Sequence, residues 1–197
     1  MVYKNRKVVR RVSQDAPIFV GPMMLHGDGK FPTYHHFFSA VNAALNGSQV
    51  ASNEFLCEGI VTGSDEEQAM VNACKAAFPQ SSQLYCMLHC KDNARHYMSS
   101  VGIPSNVRQN VLTKLFACNG VAESGDEETM DNRVADTMQY VRQNAGDAAE
   151  YIQDRILPKI ASNNRLQWRE TWLGQHSWSN NNCESVNHVL KLQVCKL

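Results

Sequence analysis

The chain has 197 residues, 43% of them hydrophobic, with 19 Lys and Arg against 19 Asp and Glu. That length and apolar content suit one domain with an insertion. The balanced charge excludes a global basic excess of the kind that announces nucleic acid, while local patches stay free to act. No apolar run approaches the roughly 20 residues of a membrane span, Met1 leads into VYKNRK rather than an apolar leader, and seven scattered cysteines read as free thiols of a reducing compartment.

Residues 2–3 and 8–12 flank or belong to short strands, with residues 4–7 as the turn between them or a ragged strand end. Arg6, Lys7, Arg10 and Arg11 form a basic cluster, open to two readings: solvated surface or phosphate contact. Residues 17–26, PIFVGPMMLH, are a strongly apolar strand in which Pro22 implies a bulge or an edge position. Residues 33–45 are the first clear helix. Tyr34, Phe37, Phe38, Val41, Ala44 and Leu45 repeat at helical spacing, and Asn46-Gly47 closes it. Neighbours on a helix point different ways, so His35 and His36 read as a wet face rather than a metal pair.

Residues 56–89 organise the rest. Residues 59–62 are a short β-branched run closed by Gly63, the pattern of a buried strand end. Ser64 and Glu67 have the spacing of a capping box. Met70, Val71, Cys74, Ala77 and Phe78 then give one apolar helical face, which Pro79 ends, and residues 84–88 resume a strand ending around Cys86 and His89. A strand–helix–strand unit of this length implies parallel strands joined by a right-handed crossover. Asp65 then sits at the carboxyl end of a parallel strand, where open α/β sheets place ligands. The plainer reading is that an acid in a first helical turn serves the dipole and the cap.

Residues 91–100 continue as a helix. Cys86, His89 and Cys90 have a spacing that suits tetrahedral zinc, but no partner pair follows, so a buried reduced pair is the competing reading and the better one. Three amphipathic helices follow, marked by Val107, Val111, Leu112, Leu115 and Phe116, by Met130, Val134, Met138 and Val141, and by Ala149, Ile152, Ile156 and Ile160. The acidic turn at residues 125–128 opens the second, and Pro158 bends or ends the third. Trp168, Trp172, Leu173 and Trp178 gather near one loop as core or as a platform for stacking bases. In SNNNCESVNHVLK, Asn182 can cap a helix whose polar face carries Glu184, Asn187, His188 and Lys191. That face is either solvated or one wall of a site.

GSDEEQAMVNACKAAFP, LYCMLH and NNCESVNHVLK, in this order, resemble the Mutator-like (MULE) transposase domain over residues 2–191. The resemblance implies a ribonuclease H-like mixed α/β core with an Asp–Asp–Glu triad, an all-helical insertion before the Glu, and DNA cleavage and strand transfer in transposition. Asp65 matches the second carboxylate, Glu184 the third, and Cys86 with His89 the family's Cys-x-x-His signature. GPMMLH and TYHHFFSAV match the third strand and first helix of the core.

The expected division is a core at residues 1–100, a helical insertion at 101–165, and a core helix carrying the Glu at 166–197. The family's first Asp lies on a strand ahead of VYKNRKVVRRV, so the resemblance implies an N-terminally truncated copy with its first strand missing. Asp15 and Asp28 fall where the pattern puts no ligand. The triad holds two Mg²⁺ or Mn²⁺ ions, hard cations that take oxygen donors, whereas zinc prefers sulfur and imidazole. Asp65 and Glu184 alone form an incomplete cage, which leaves catalysis by this chain in question. Arg6, Lys7, Arg10, Arg11, Asn187, His188 and Lys191 are the candidate DNA contacts. The resemblance further implies a nuclear protein, with no membrane partner and a homo-oligomer in the full-length form. The alternative is a non-catalytic DNA- or protein-binding module derived from a transposase.

Overall fold

Val2–Lys4 (β1) and Ile18–Val20 (β2) pair antiparallel, with Tyr3 opposite Phe19. The computed structural model describes residues 2–4, 18–20, 22–24, 26–47 and 61–173. Within the strand expected over residues 17–26, β2 forms, while Pro22–Met24 lie outside any strand, since proline brings no N–H to a ladder. Lys4, read as turn or ragged strand end, is the last residue of β1. The chain is mixed α/β and mostly helical, and it forms two compact units.

The first unit contains β1, β2 and two helices, Phe31–Gly47 (α1) and Gln68–Ala77 (α2). Before α1, Asp28 accepts from the Thr33 hydroxyl at 2.7 Å and from the Lys30 N–H at 3.4 Å. This gives the helix an earlier start than its apolar repeat indicates. Tyr34 and Val41 are buried on α1, and Val71, Ala73, Cys74 and Ala77 on α2. The helices meet where Phe38 packs edge-on to Phe78 and where Asn42 Nδ2 donates to the Ala77 carbonyl at 2.8 Å. His36 is exposed, and His35 stacks on Phe31.

The capping box does not form. Helix α2 starts at Gln68, no side chain caps it, and the Glu67 carboxylate accepts from the Tyr34 hydroxyl at 2.9 Å instead. Ser64 is the last residue of a strand and is buried. Its Oγ accepts from the Glu66 N–H at 3.3 Å and from Gln83 Nε2 at 3.1 Å.

The second unit opens with Val61–Ser64 (β3) and Ser82–Tyr85 (β4), parallel and in register from Val61 opposite Ser82 to Ser64 opposite Tyr85. The expected parallel pair with an intervening helix is therefore present, and Asp65 directly follows β3 at its carboxyl end. The boundaries differ. β3 runs through Gly63 rather than stopping there, and β4 ends at Tyr85 rather than near His89. Cys86 is the residue before helix α3, Met87–Ser100, and its N–H closes onto the Ser64 carbonyl at 2.8 Å. Gly102 ends α3 with φ of 79° while the Ile103 N–H reaches back to the Met98 carbonyl at 2.9 Å, a Schellman closure that favours glycine.

From α3 onward the described chain is helical: α4 (Ser105–Phe116), a 3-10 turn at Val121–Glu123, α5 (Glu127–Asn144), α6 (residues 149–164) and α7 (residues 166–173). Asp126 caps α5 through the Thr129 N–H at 2.7 Å. A single core runs through these helices, from Cys90, Ala94 and Met98 on α3 to Ile152, Ile156 and Ile160 on α6, and is continuous across residue 101. Among the described residues no helix is long and apolar enough to cross a membrane.

Pro158 neither ends nor breaks α6. The helix widens instead, with π-helical segments at Ile152–Ile156 and Ile160–Asn164 on either side of Leu157–Lys159. Proline lacks an N–H and its ring crowds the carbonyl four residues back. Shifting the ladder to i→i−5, as in the Leu157 N–H to Ile152 carbonyl bond, accommodates that gap without a break.

Candidate functional site at a parallel strand end

The carboxyl ends of β3 and β4 bring together Ser64, Asp65 and Glu66 from one strand and Tyr85 and Cys86 from the other. Asp65 is half-buried. Glu66 adopts a left-handed backbone with φ of 77°. That conformation costs a non-glycine residue about 1–3 kcal/mol and persists only where surroundings enforce it. Here they do. The Glu66 side chain is 11% exposed and forms an ion pair with Lys159, itself 30% exposed.

Lys159 stands between the two π segments of α6, which also present Asn163 and Asn164 to this strand end. Asn163 Nδ2 donates to the Gln83 carbonyl at 2.8 Å, and the buried Asn164 amide, with its nitrogen turned inward, lies against the Tyr85 carbonyl. Helix widening therefore does positional work: it sets an ammonium and two amides over the strand ends. The Glu66 Oε1 atom is buried and meets no hydrogen-bond donor among the described residues.

The charges shape their surroundings. Burial pushes the Cys90 thiol up to about 12, with the Glu66 carboxylate adding to the rise and Lys159 opposing it. Burial and the same carboxylate raise the Tyr85 hydroxyl. Burial also raises Tyr151, whose ring stacks on Tyr97 at 3.8 Å between centroids. For Lys159 burial works the other way, but the hydrogen bond and charge of Glu66 outweigh it and hold the ammonium above its ordinary value.

The sequence candidates divide as follows. Asp65 lies at the strand end as expected. Cys86 and Cys90 are buried beside it, and His89 is half-buried in the first turn of α3. Asp28, at the head of α1, is exposed, and its hydrogen bond to Thr33 keeps its carboxyl below the usual range. Glu184, Asn187, His188, Lys191, Arg6, Lys7, Arg10, Arg11, Asp15 and Trp178 lie outside the described residues. Trp168 and Trp172 stack on each other at 5.1 Å, and Trp168 Nε1 donates to the Ala161 carbonyl, so these rings are tied to the end of α6.

Glu66 and Lys159 are the ion pair at this strand end that sequence reasoning missed. The signal available was Lys159 itself, a charge seven residues after Ile152, at the edge of the stripe drawn by Ile152, Ile156 and Ile160.

Of the two carboxylates expected to bind metal, the described residues include Asp65 alone. No group of three His, Cys, Asp or Glu side chains converges in metal-binding geometry among the described residues. The carboxylate next to Asp65 in sequence is paired with the Lys159 ammonium. No protein-family model, curated protein or solved structure matches the chain.

Thiol reactivity checks this geometry directly. In a variant with Cys57, Cys183 and Cys195 replaced by serine, Ellman's reagent at pH 8 is expected to modify exposed Cys118 at once. Buried Cys74, Cys86 and Cys90 should react only on unfolding. Rapid modification of Cys90 in the folded protein would contradict the strand-end packing.

Proposed function

We propose that the chain is a MULE-type transposase domain of the ribonuclease H-like class, acting on DNA, with Asp65 and Glu184 as metal-binding carboxylates. The observation that supports this reading is the position of Asp65. It follows β3 at the carboxyl end of a parallel strand pair whose connection runs through a helix, the place where such sheets hold ligands. The long helical stretch after α3 agrees with the all-helical insertion of the family. Chemically, Asp65 offers one hard oxygen donor at this edge, and a second from Glu184 would make a weak Mg²⁺ or Mn²⁺ site.

A second reading, a non-catalytic DNA-binding module derived from such a transposase, is favoured by the Glu66–Lys159 pair. An ammonium paired with Glu66, the residue after Asp65, is an unfavourable neighbour for two divalent ions.

Supercoiled DNA separates the two readings. The catalytic reading expects Mn²⁺-dependent nicking, with Mn²⁺ affinity in the millimolar range for so few ligands, and loss of both in Asp65→Asn and in Glu184→Gln. The binding-module reading expects DNA retention without nicking, insensitive to Asp65→Asn and weakened when Arg10 and Arg11 become alanine. Mn²⁺ binding that survives Asp65→Asn would remove Asp65 from the site.

A further inference from the structure

Glu66 presents an unusual combination. Its backbone takes the left-handed turn that points the carboxylate inward, one oxygen meets the Lys159 ammonium, and the other is buried with no donor among the described residues. Burying a carboxylate is costly unless a cation compensates it. At the carboxyl end of parallel strands, that cation can be a bound divalent ion or a side chain. Here a side chain takes the role, delivered by the widened α6 on the residue after Pro158.

We propose that the Lys159 ammonium is the built-in cation of this strand end, occupying the place where Glu66 would otherwise hold a divalent metal ion. Removing the ammonium while keeping the carboxylate uncovers a latent Mg²⁺ or Mn²⁺ site. The two Glu66 oxygens are then both available, and hard oxygen donors of this kind suit those ions, with water completing the shell. The same removal deletes a positive charge that repels an incoming dication. This latent site is centred on Glu66 and is separate from the Asp65 and Glu184 assignment.

Mn²⁺ titration read by thermal melting and by electron paramagnetic resonance tests the proposal in the full chain. Lys159→Met is expected to melt lower than the parent in chelator, to regain stability in excess MnCl₂, and to bind Mn²⁺ roughly tenfold or more tightly than the parent. The gain should disappear in Lys159→Met/Glu66→Gln and persist in Lys159→Met/Asp65→Asn. Lys159→Gln, which also removes the ammonium but keeps a polar side chain, should show the same Glu66-dependent gain. The proposal is overturned if neither variant gains Mn²⁺ affinity, if the gain survives Glu66→Gln, or if MnCl₂ fails to restore Lys159→Met. Loss of the gain in Lys159→Met/Asp65→Asn would also overturn it, by showing that the ion sits on Asp65. Failure of the Asp65 assignment reads out differently, as parent Mn²⁺ binding unchanged by Asp65→Asn.

Discussion

Arg169→Ala is expected to destabilise the second unit by about 3–5 kcal/mol, the cost of stranding one partner of a buried ion pair. Arg169 is 3% exposed and donates to the Glu123 carboxylate at 2.7 Å, to the Ala122 carbonyl at 3.0 Å and to the Asn164 carbonyl at 3.0 Å. Its removal takes the guanidinium at 2.7 Å from Glu123, whose side chain is 10% exposed, and a donor from two carbonyls. A whole domain is stable by only about 5–15 kcal/mol, so this loss is severe. Urea unfolding should show a lower midpoint at unchanged slope. Arg169→Met/Glu123→Gln, which removes both charges, should cost clearly less than Arg169→Ala. The exposed pair of Lys114 and Asp136 is the contrast, because solvent screening leaves such bridges at about 0–1 kcal/mol. An Arg169→Ala cost in that same range would mean that Glu123 finds water, and that the strut joining α7 to the 3-10 turn is ornamental.

Much of the second unit is legible in the sequence because its helices are amphipathic for a simple reason. Val111, Leu112, Leu115 and Phe116, and likewise Met130, Met138 and Val141, recur at helical spacing and are all buried. The parallel strand pair is legible for the same kind of reason: β-branched and apolar residues on either side of a helical repeat leave few other topologies. What misleads is local chemistry. Ser64 followed three residues later by Glu67 has the spacing of a capping box, yet pairing of Ser64 with Tyr85 across the sheet draws Ser64 into a strand. Pro158 reads as a bend or a stop, yet isoleucines on both sides bury well enough to carry the helix through it in widened form. Tertiary burial outweighs both local signals.

The site follows the same division. Asp65 is placed by strand topology, which periodicity reveals. Glu66 depends on one left-handed residue and on a lysine 93 positions away, and neither a dihedral angle nor a contact across that separation leaves a pattern in sequence. Three acids in a row at residues 65–67 look alike as letters. In the fold they have different fates: Asp65 at the strand end, Glu66 on Lys159, and Glu67 on the Tyr34 hydroxyl.

Ile156→Ala tests whether core packing holds the widened helix in place, and its expected cost is about 2–5 kcal/mol. Ile156 is fully buried, lies in the first π segment and belongs to the core shared by α3, α4 and α5. Alanine is the better helix former by a few tenths of a kcal/mol, so propensity alone predicts a small gain. The two effects have opposite signs, and burial should win by a wide margin. Leu88→Ala, at a side chain 50% exposed on α3, is the control and should stay within about 0.5 kcal/mol. A second readout follows from position. Ile156 is one turn before Lys159, so a cavity there lets α6 settle towards regular α geometry and turns the ammonium away from Glu66. Lys159 opposes the rise of the Cys90 thiol, so thiol reactivity there should then fall in native Ile156→Ala relative to the parent. A cost below about 1 kcal/mol, with Cys90 as reactive as before, would show that the π segments are set by Pro158 alone and owe nothing to the core beneath them.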